Sequence, residues 1–378
     1  MNFTAYNPTK LHFGKGVVRE LGTAASKLGK NTLLIYGGGS VHRNGSYADT
    51  VAQLSENGIR VTEYSGIKPN PVVDDANAAA ELGKKSGVDM IVAVGGGSVI
   101  DSAKIIAVCI ANDHEAWDVM KQETVVYSSL PVLAVLTLAA TGSEMNAAAV
   151  LQNHETGEKI GLRNDAMYPV HSFLDPAYTL TVPANYTAFG IVDLVAHCLE
   201  AWFGDGEASL SDRFVIAILK EALEHGPALM NHLFSYELRE KIMWAATCAL
   251  NNTTLYGRET GDWGAHRVSH VLSYLYDTPH GAALSIIYPA WLKTMKERAG
   301  NRIQHLGREL FGTSSVEMTI QSLVDFFRSL GSPVRCQEAG IEPSLRNEIL
   351  ELMNRNKAEG LCYALSDKER EKIMSYVW

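Results

Sequence analysis

Hydrophobic positions in the first half of the chain follow two alternating patterns. Short apolar runs rich in β-branched residues occur at Thr32 to Tyr36, Arg60 to Tyr64, Asp89 to Val94 and Pro131 to Leu136. Between these runs, apolar residues recur at three- and four-residue spacing in Tyr47 to Asn57, Asp74 to Ser86 and Ile100 to Ala111. Strands that alternate with amphipathic helices are typical of a parallel sheet covered by helices. The pattern therefore predicts an α/β domain.

The pattern changes after Pro183, where long amphipathic stretches rich in Ala, Leu, Glu and Lys replace the β-rich runs. These stretches are Phe189 to Phe203, Asp212 to Met230, Tyr236 to Asn251, Ser315 to Leu330 and Glu342 to Asn354. Their apolar spacing predicts helices. Because 378 residues exceed what one hydrophobic core usually holds, we expect two closely packed domains enclosing a cleft. The first is an α/β domain at residues 1–182, and the second is an all-helical domain at residues 183–378.

Composition and charge narrow the class of partner. Hydrophobic residues make up 46% of the chain and charged residues 20%, which is typical of a globular protein. The net charge is −9, and the sequence contains no cluster of basic residues. Both observations argue against nucleic acid and anionic lipid as partners. No apolar run reaches the ~20 residues of a membrane span. With nucleic acid and anionic lipid disfavoured, we expect a small-molecule partner. The five cysteines show no CxxC spacing, so we expect reduced thiols and a cytoplasmic location.

Two glycine-rich turns follow predicted buried strands. The first is GGGS at 37–40, after Tyr36, and the second is GGGS at 95–98, after Val94. Glycine allows the backbone to approach a phosphate closely, and free N–H groups at the start of the next helix stabilise the anion. Since both turns lie at the carboxyl edge of a parallel sheet, we expect them to bind a dinucleotide. The cofactor-binding residues predicted in the first turn are Gly37, Gly38, Gly39 and Ser40.

The first turn also indicates which dinucleotide binds. Neither turn matches GxGxxG, and no acidic residue that could bind a ribose 2′-hydroxyl directly follows Tyr36. Small residues there leave room for a 2′-phosphate, with Ser40 as a donor and His42 or Arg43 as a positive partner. The sequence therefore favours NADP(H) over NAD(H).

Histidine and aspartate spacing in the second half predicts a metal site. Asp193 and His197 are four residues apart in the apolar run FGIVDLVAHCLEAWF, so both lie on one helix face. His266 and His280 follow in GAHRVSHVLSYLYDTPHG. Three imidazoles and one carboxylate suit Fe²⁺ or Zn²⁺. On spacing alone, hydrogen-bonded core side chains remain the alternative to this four-ligand site.

The longest motifs resemble a known family. They are GGGSVID at 95–101, TLAATGSEMN at 137–146 and DPAYTLTVP at 175–183, together with the segments that carry the four predicted ligands. Over essentially its whole length the chain resembles the iron-containing (group III) alcohol dehydrogenases, most closely the NADPH-dependent butanol dehydrogenase and broad aldehyde reductase branch. The resemblance implies a dehydroquinate synthase-like architecture, with a Rossmann-like dinucleotide-binding domain and a helical domain. It also implies one divalent metal ion and a homodimer.

The resemblance adds cofactor contacts to those of the first turn. By position, the residues implied are Asn70, Gly96, Gly97, Ser98, Asp101, Thr137, Thr141 and Lys159. Other roles remain open for some of them, since Asp101 could cap its helix, Lys159 could be solvated and the threonines could pack a turn.

These observations predict a metal-dependent alcohol dehydrogenase or aldehyde reductase. It would transfer hydride between NADP(H) and short-chain alcohols or aldehydes such as butanol and butyraldehyde, with Phe189, Trp263 and Tyr274 near the substrate. His270, one turn after His266, would pass the proton to solvent, and a core histidine that supports the ligands is the alternative role for it. A dehydroquinate synthase-like lyase is the first alternative, but the segments around the predicted ligands are neutral and apolar. A metal hydrolase is the second, and the paired glycine turns argue against it.

Overall fold

The computed structural model describes residues 2–378, which divide into two compact units. The α/β unit comprises residues 6–182 and 233–247. The helical unit comprises residues 2–5, 183–232 and 248–378. Residues 233–247 group with the α/β unit because they are tied to it by side-chain contacts. The Arg239 side chain donates a hydrogen bond to the carbonyl of Val182, and the Thr247 hydroxyl donates one to the Glu144 carboxylate at 2.5 Å.

Within residues 2–378, eight strands form a parallel sheet and a hairpin. The strands are β1 (Lys10–Phe13), β2 (Asn31–Tyr36), β3 (Arg60–Ser65), β4 (Met90–Gly95), β5 (Val132–Leu136), β6 (Ala148–Asn153), β7 (Glu158–Arg163) and β8 (His171–Leu174). The six-stranded sheet has the order β1-β8-β5-β4-β2-β3 with every pair parallel, and β6 pairs antiparallel with β7. All four predicted strands are present, which confirms the α/β fold.

Side chains of the central strands alternate between two apolar clusters. Leu33 and Ile35 of β2 enter one cluster, and Leu34 enters the other. Every residue of β4 is buried, as expected for a parallel strand covered on both faces. The helices of this unit are α1 (Leu21–Ala25), α2 (Ser40–Arg43), α3 (Ser46–Glu56), α4 (Val73–Ser86), α5 (Gly97–Asn112) and α6 (Ala116–Lys121). The carboxyl ends of β2 and β4 lead directly into α2 and α5 through the two glycine turns.

The helical unit is built around one helix that is buried on all sides. The chain continues with α7 (Ala184–Trp202), α8 (Ser209–Asn231), α9 (Tyr236–Ala249), α10 (Gly264–Tyr276), α11 (His280–Phe311), α12 (Val316–Ser329), α13 (Arg346–Arg355) and α14 (Asp367–Tyr376). All but the last two residues of α9 belong to the α/β unit. Helix α7 is buried from Gly190 to its end, and it packs against α8, α10 and α11. Among residues 2–378, no helix has the length and apolarity that crossing a membrane requires.

Candidate metal centre and dinucleotide site

The second glycine turn joins β4 to a 16-residue helix. Gly97, the first residue of α5, packs so closely on Thr141 that an added Cβ would lie 2.4 Å from its side chain. Only glycine therefore fits at this position. Thr137 is held at the same edge, since its N–H donates to the Gly95 carbonyl at 3.0 Å. The result is a tight turn in which the first N–H groups of a long helix are available to an anion.

The first glycine turn lies beside the second, because β2 and β4 are neighbours in the parallel sheet. An added Cβ on Gly37 would lie 3.2 Å from the Ile67 carbonyl, so the turn is closed from that side. Gly38 faces open space, and the Arg43 guanidinium lies 3.2 Å from where a Cβ of Gly39 would be. Ser40 begins α2. A positive group therefore lies directly over the turn that was predicted to hold a 2′-phosphate.

Two further predicted cofactor residues lie against each other. Lys159 Nζ donates to Asn70 Oδ1 at 2.7 Å, which joins β7 to the segment that precedes α4. Ser98 Oγ donates to the carbonyl of Pro69, the neighbour of Asn70. The structure thus brings Asn70, Ser98 and Lys159 together at the start of α5.

Asp101 is engaged with the interior of the α/β unit. Its carboxylate oxygens accept from Ser143 Oγ at 2.5 Å and from the Val150 N–H at 2.9 Å. The fully buried ammonium of Lys104 donates to Ser143, Asn146 and the Ala148 carbonyl at 2.7–3.1 Å. These contacts tie α5 to the segment at 143–150, whereas the glycine turns do not take part in them. Burial raises the pKa of Asp101, an effect that Lys104 and Ser143 oppose.

The four predicted metal ligands converge on one carboxylate oxygen in the helical unit. Asp193 and His197 come from α7, His266 from α10 and His280 from the first position of α11. The Nε2 atoms of His197, His266 and His280 lie 3.6, 3.8 and 3.7 Å from Asp193 Oδ1. For Asp193, His266 and His280, one donor atom from each lies within 4.8 Å of the others. His197 is therefore near Asp193 without belonging to that tighter set of three.

The donor spacing fits a shared cation better than it fits hydrogen bonds. Distances of 3.6–3.8 Å exceed hydrogen-bonding range. Two ligands about 2.1 Å from a tetrahedral metal ion lie roughly 3.4 Å apart. Asp193 Oδ1 and His266 Nε2 are buried and lack a hydrogen-bond partner among residues 2–378. Since burying unsatisfied polar atoms is costly, these residues fit a divalent cation with nitrogen and oxygen ligands.

Close helix contacts create this arrangement. Gly281 follows His280, and an added Cβ there would lie 2.1 Å from the Phe189 carbonyl. The absence of a side chain thus lets the start of α11 reach the backbone of α7. Pro279 precedes α11, where its fixed φ suits a helix start. The local sequence Pro-His-Gly therefore delivers His280 to the carboxylate of Asp193.

Burial and charge affect two of the imidazoles in opposite ways. Burial lowers the pKa of His197 to about 4 despite the attraction of Asp193. Burial also lowers the pKa of His266, but the negative charges of Asp193 and Glu200 and the hydrogen bond to Glu200 outweigh it and raise the pKa to about 9. A neutral imidazole is the form that binds a metal ion. His197 is therefore already in the binding form at neutral pH, whereas His266 would release a proton on binding.

Glu200 is a site residue that the sequence analysis missed. Its Oε1 accepts from His266 Nδ1 at 2.7 Å, and its side chain is 1% exposed. Its position is seven residues after Asp193, so Asp193, His197 and Glu200 share one face of α7. A third ionisable residue at this spacing in an apolar helix was the feature of the sequence that could have indicated a role for Glu200 in the site.

His270 lies near the predicted metal ligands, as its spacing from His266 predicts. Its ring centroid is 5.4 Å from that of His280, and the residue is 9% exposed. Trp263 lies on another side of the cluster, with its ring 5.4 Å from His266 and 6.2 Å from His197. An aromatic wall and a further imidazole therefore flank the candidate metal centre.

Comparisons with known proteins place these features in context. The family model described as "Iron-containing alcohol dehydrogenase" matches residues 8–176, and "Fe-containing alcohol dehydrogenase family, C-terminal" matches residues 187–365. The chain is 41% identical to a Bacillus subtilis protein named "Probable NADH-dependent butanol dehydrogenase 2", over 90% of this chain and 89% of the relative. It is 34% identical to the NADPH-dependent aldehyde reductase YqhD of Escherichia coli, over 91% and 90%.

A solved structure shows the same fold. The structure of NADH-dependent butanol dehydrogenase A from Thermotoga maritima matches with a TM-score of 0.95 and 34% identity, covering 100% of this chain and 98% of that chain. The similarity thus spans both the α/β unit and the helical unit.

Proposed function

We propose that this chain, which belongs to the iron-containing alcohol dehydrogenase family and is an alcohol or aldehyde oxidoreductase, transfers hydride between NADP(H) and short-chain alcohols or aldehydes. Butanol and butyraldehyde represent the substrate class. The observation that carries the proposal is the convergence of three imidazoles on Asp193 Oδ1 at 3.6–3.8 Å. The two adjacent glycine turns of the α/β unit support the cofactor class.

Each group of the site has a chemical task in this proposal. When bound, the divalent cation supplies a Lewis acid for the substrate oxygen, and the nicotinamide supplies or accepts hydride. Asp193, His197, His266 and His280 hold the cation, and the carboxylate offsets part of its charge. His270 exchanges the substrate proton with solvent through its ring nitrogens. The aromatic side chains of Phe189, Trp263 and Tyr274 favour short aliphatic substrates over charged ones.

The preference for NADP(H) rests on the first glycine turn. Ser40 and the Arg43 guanidinium offer a donor and a positive charge where a 2′-phosphate would lie. The relatives include proteins named for NADH and for NADPH. The proposed preference for NADP(H) therefore rests on the residues of this chain and not on the relatives. Activity with NADH that exceeds activity with NADPH would contradict it.

The deciding experiment compares metals and cofactors in one assay. Protein purified without oxygen is loaded with Fe²⁺ or Zn²⁺ in separate samples, and the absorbance of NADPH or NADH is followed after butyraldehyde is added. We expect metal-dependent oxidation of NADPH and much slower oxidation of NADH. Absence of oxidation by a protein that has bound metal and cofactor would refute the proposed reaction and favour a lyase.

Location and assembly complete the proposal. Cys109, Cys198, Cys336 and Cys362 are free thiols, which supports a cytoplasmic location. We also propose a homodimer, because β1 is an edge strand of the sheet and edge strands pair readily with a second chain. Analytical ultracentrifugation should give twice the chain mass of 41.2 kDa.

A further inference from the structure

We propose that Glu200 is a positioning residue that fixes the tautomer and orientation of His266, so that its Nε2 is available to the cation. The inference rests on the proposed metal site and adds a residue that does not itself touch the cation. It is carried by three contacts of one buried carboxylate.

The first contact determines which ring nitrogen of His266 carries hydrogen. Glu200 Oε1 lies 2.7 Å from His266 Nδ1. An ionised carboxylate only accepts hydrogen bonds, so Nδ1 is the donor and Nε2 of the neutral ring keeps its lone pair. That same Nε2 is the atom that faces Asp193 Oδ1 at 3.8 Å. The carboxylate therefore selects the tautomer that a metal ion requires.

The other two contacts fix the backbone that carries the ring. The N–H of His266 donates to Glu200 Oε1 at 3.1 Å, and the N–H of Trp263 donates to Oε2 at 2.5 Å. These groups belong to the first turn of α10 and to the residue before it, where no intrahelical partner exists. Glu200 thus serves as a helix cap supplied by a different helix.

The residue before α10 shows why such a cap is needed. Trp263 has φ 63° and ψ 9°, in the left-handed region, which is unfavourable for a non-glycine residue. A charge-assisted hydrogen bond from its N–H to Glu200 helps to hold this conformation. Since one carboxylate holds both the strained turn and the His266 ring, displacement of either should loosen the other.

Helix geometry makes Glu200 a rigid support. Asp193, His197 and Glu200 lie on one face of α7, so a single helix supplies two proposed ligands and the group that orients a third. The Glu200 side chain is 1% exposed, so its oxygens are shielded from bulk water.

The test replaces the carboxylate by its isosteric amide. Glu200→Gln keeps the volume of the side chain but replaces one acceptor oxygen by a donor NH₂ group. The single oxygen that remains cannot accept the hydrogen bonds of both Trp263 and His266. We expect Zn²⁺ affinity, measured by competition with a chromophoric chelator, to fall about 10- to 100-fold. We also expect the visible spectrum of the Co²⁺-loaded variant to change. The matched control is Glu221→Gln on α8, whose side chain is 53% exposed and which should leave both readouts unchanged.

The outcomes separate this proposal from the metal site. Parent-like Zn²⁺ affinity and Co²⁺ spectrum in a folded Glu200→Gln variant would overturn the role of Glu200 alone. If the parent protein bound no Zn²⁺, both the metal site and this role would fall. Should the variant not fold, ¹⁵N-histidine NMR of the Zn²⁺-loaded parent decides, with His266 assigned by His266→Gln. Hydrogen on Nδ1 and metal on Nε2 supports the proposal, and the opposite tautomer overturns it.

Discussion

Single side chains at the first glycine turn determine the proposed cofactor preference. Arg43 is exposed and lies over Gly39. We expect Arg43→Ala to raise KM for NADPH about 10-fold or more, because a charge-assisted hydrogen bond to phosphate contributes about 1.5–3 kcal/mol. KM for NADH should change little.

Steady-state kinetics with both cofactors measures this effect. Lys27→Ala, which removes an exposed positive charge elsewhere in the same unit, is the control. Equal losses with NADPH and NADH in the Arg43 variant would show that Arg43 does not contact the 2′-phosphate.

His270 supports a second prediction at the residue scale. Its ring lies 5.4 Å from that of His280 and outside the set of donors that surround Asp193. His270→Ala should therefore retain metal, measured by elemental analysis, while kcat falls at least 10-fold, as expected for a lost proton-transfer group. His305→Ala, at a half-exposed position of α11, should leave kcat unchanged. Unchanged turnover in the His270 variant would remove this residue from the proton path.

The sequence anticipated which side chains come together best where spacing and residue type agreed. Asp193 and His197 share a helix face, and the structure brings His266 and His280 to the same carboxylate oxygen. Glu200 was missed because a glutamate near the end of a helix usually lies in solvent, and its partner is 66 residues away. Only the folded chain shows that it faces α10.

At the scale of elements, the second glycine turn depends on the absence of one side chain. A Cβ on Gly97 would lie 2.4 Å from the Thr141 side chain. Gly97→Ala should therefore displace the start of α5 and weaken NADPH binding at least 10-fold, as measured by fluorescence titration. Gly300→Ala, in open space within α11, should bind NADPH normally and stabilise the protein by about 0.5–1 kcal/mol. Normal NADPH affinity in the Gly97 variant would show that the turn tolerates displacement.

The buried ammonium of Lys104, on α5, should make the free energy of unfolding depend on pH. Burial lowers the pKa of Lys104 to about 8 from its usual 10.5, although Asp101 and Glu144 attract its charge. Between these two values the unfolded chain binds more protons than the folded one, so stability should rise with pH. Relative to Lys104→Met, the free energy of unfolding of the parent should rise by roughly 1 kcal/mol per pH unit between pH 8 and 9.5.

Urea denaturation at several pH values tests this prediction. Lys85→Met, at an exposed position of α4, should retain the pH dependence of the parent. Parallel stability curves for the parent and the Lys104 variant would contradict the lowered pKa.

Some periodic elements were predicted closely, whereas the six-residue strands β6 and β7 and several shorter or interrupted elements were not predicted. Helix α4 begins at Val73 and ends at Ser86, within one residue of the prediction. The four-residue strands β1 and β8 were missed because they are too short to show a period. The 32-residue helix α11 contains Pro289, which normally argues against a continuous helix. Close contacts hold α11 on both sides of that proline, at Gly281 against α7 and at Gly307 against α12.

At the scale of the whole molecule, the candidate metal centre ties stability to metal content. A ligand that binds only the folded state stabilises it in proportion to the logarithm of its concentration over its Kd. We expect removal of metal by a chelator to lower Tm by several degrees, and added Zn²⁺ to restore it. Asp193→Asn should abolish this response to Zn²⁺. Glu221→Gln should preserve it, and a Tm independent of metal in the parent would argue against the site.

The α/β and helical character of the two halves was evident from sequence periodicity. The assignment of residues 233–247 to the α/β unit was not, because Tyr236 to Asn251 has the same amphipathic pattern as its neighbouring helices. Which core a helix joins depends on side-chain partners distant in sequence, such as Glu144 for Thr247. Periodicity indicates that a helix has an apolar face, but it does not indicate which hydrophobic core that face packs against.

The return of residues 233–247 to the α/β unit has a consequence for synthesis on the ribosome. The backbone passes from one unit to the other after residues 5, 182, 232 and 247. A nascent chain released at residue 182 would lack the Arg239 and Thr247 contacts, so the α/β unit cannot be completed before residue 247 has emerged. By then α7 and α8, which belong to the other unit, are already outside the tunnel. The two units must therefore mature in overlapping periods, and a gene fragment cut at their boundary would not encode either one whole.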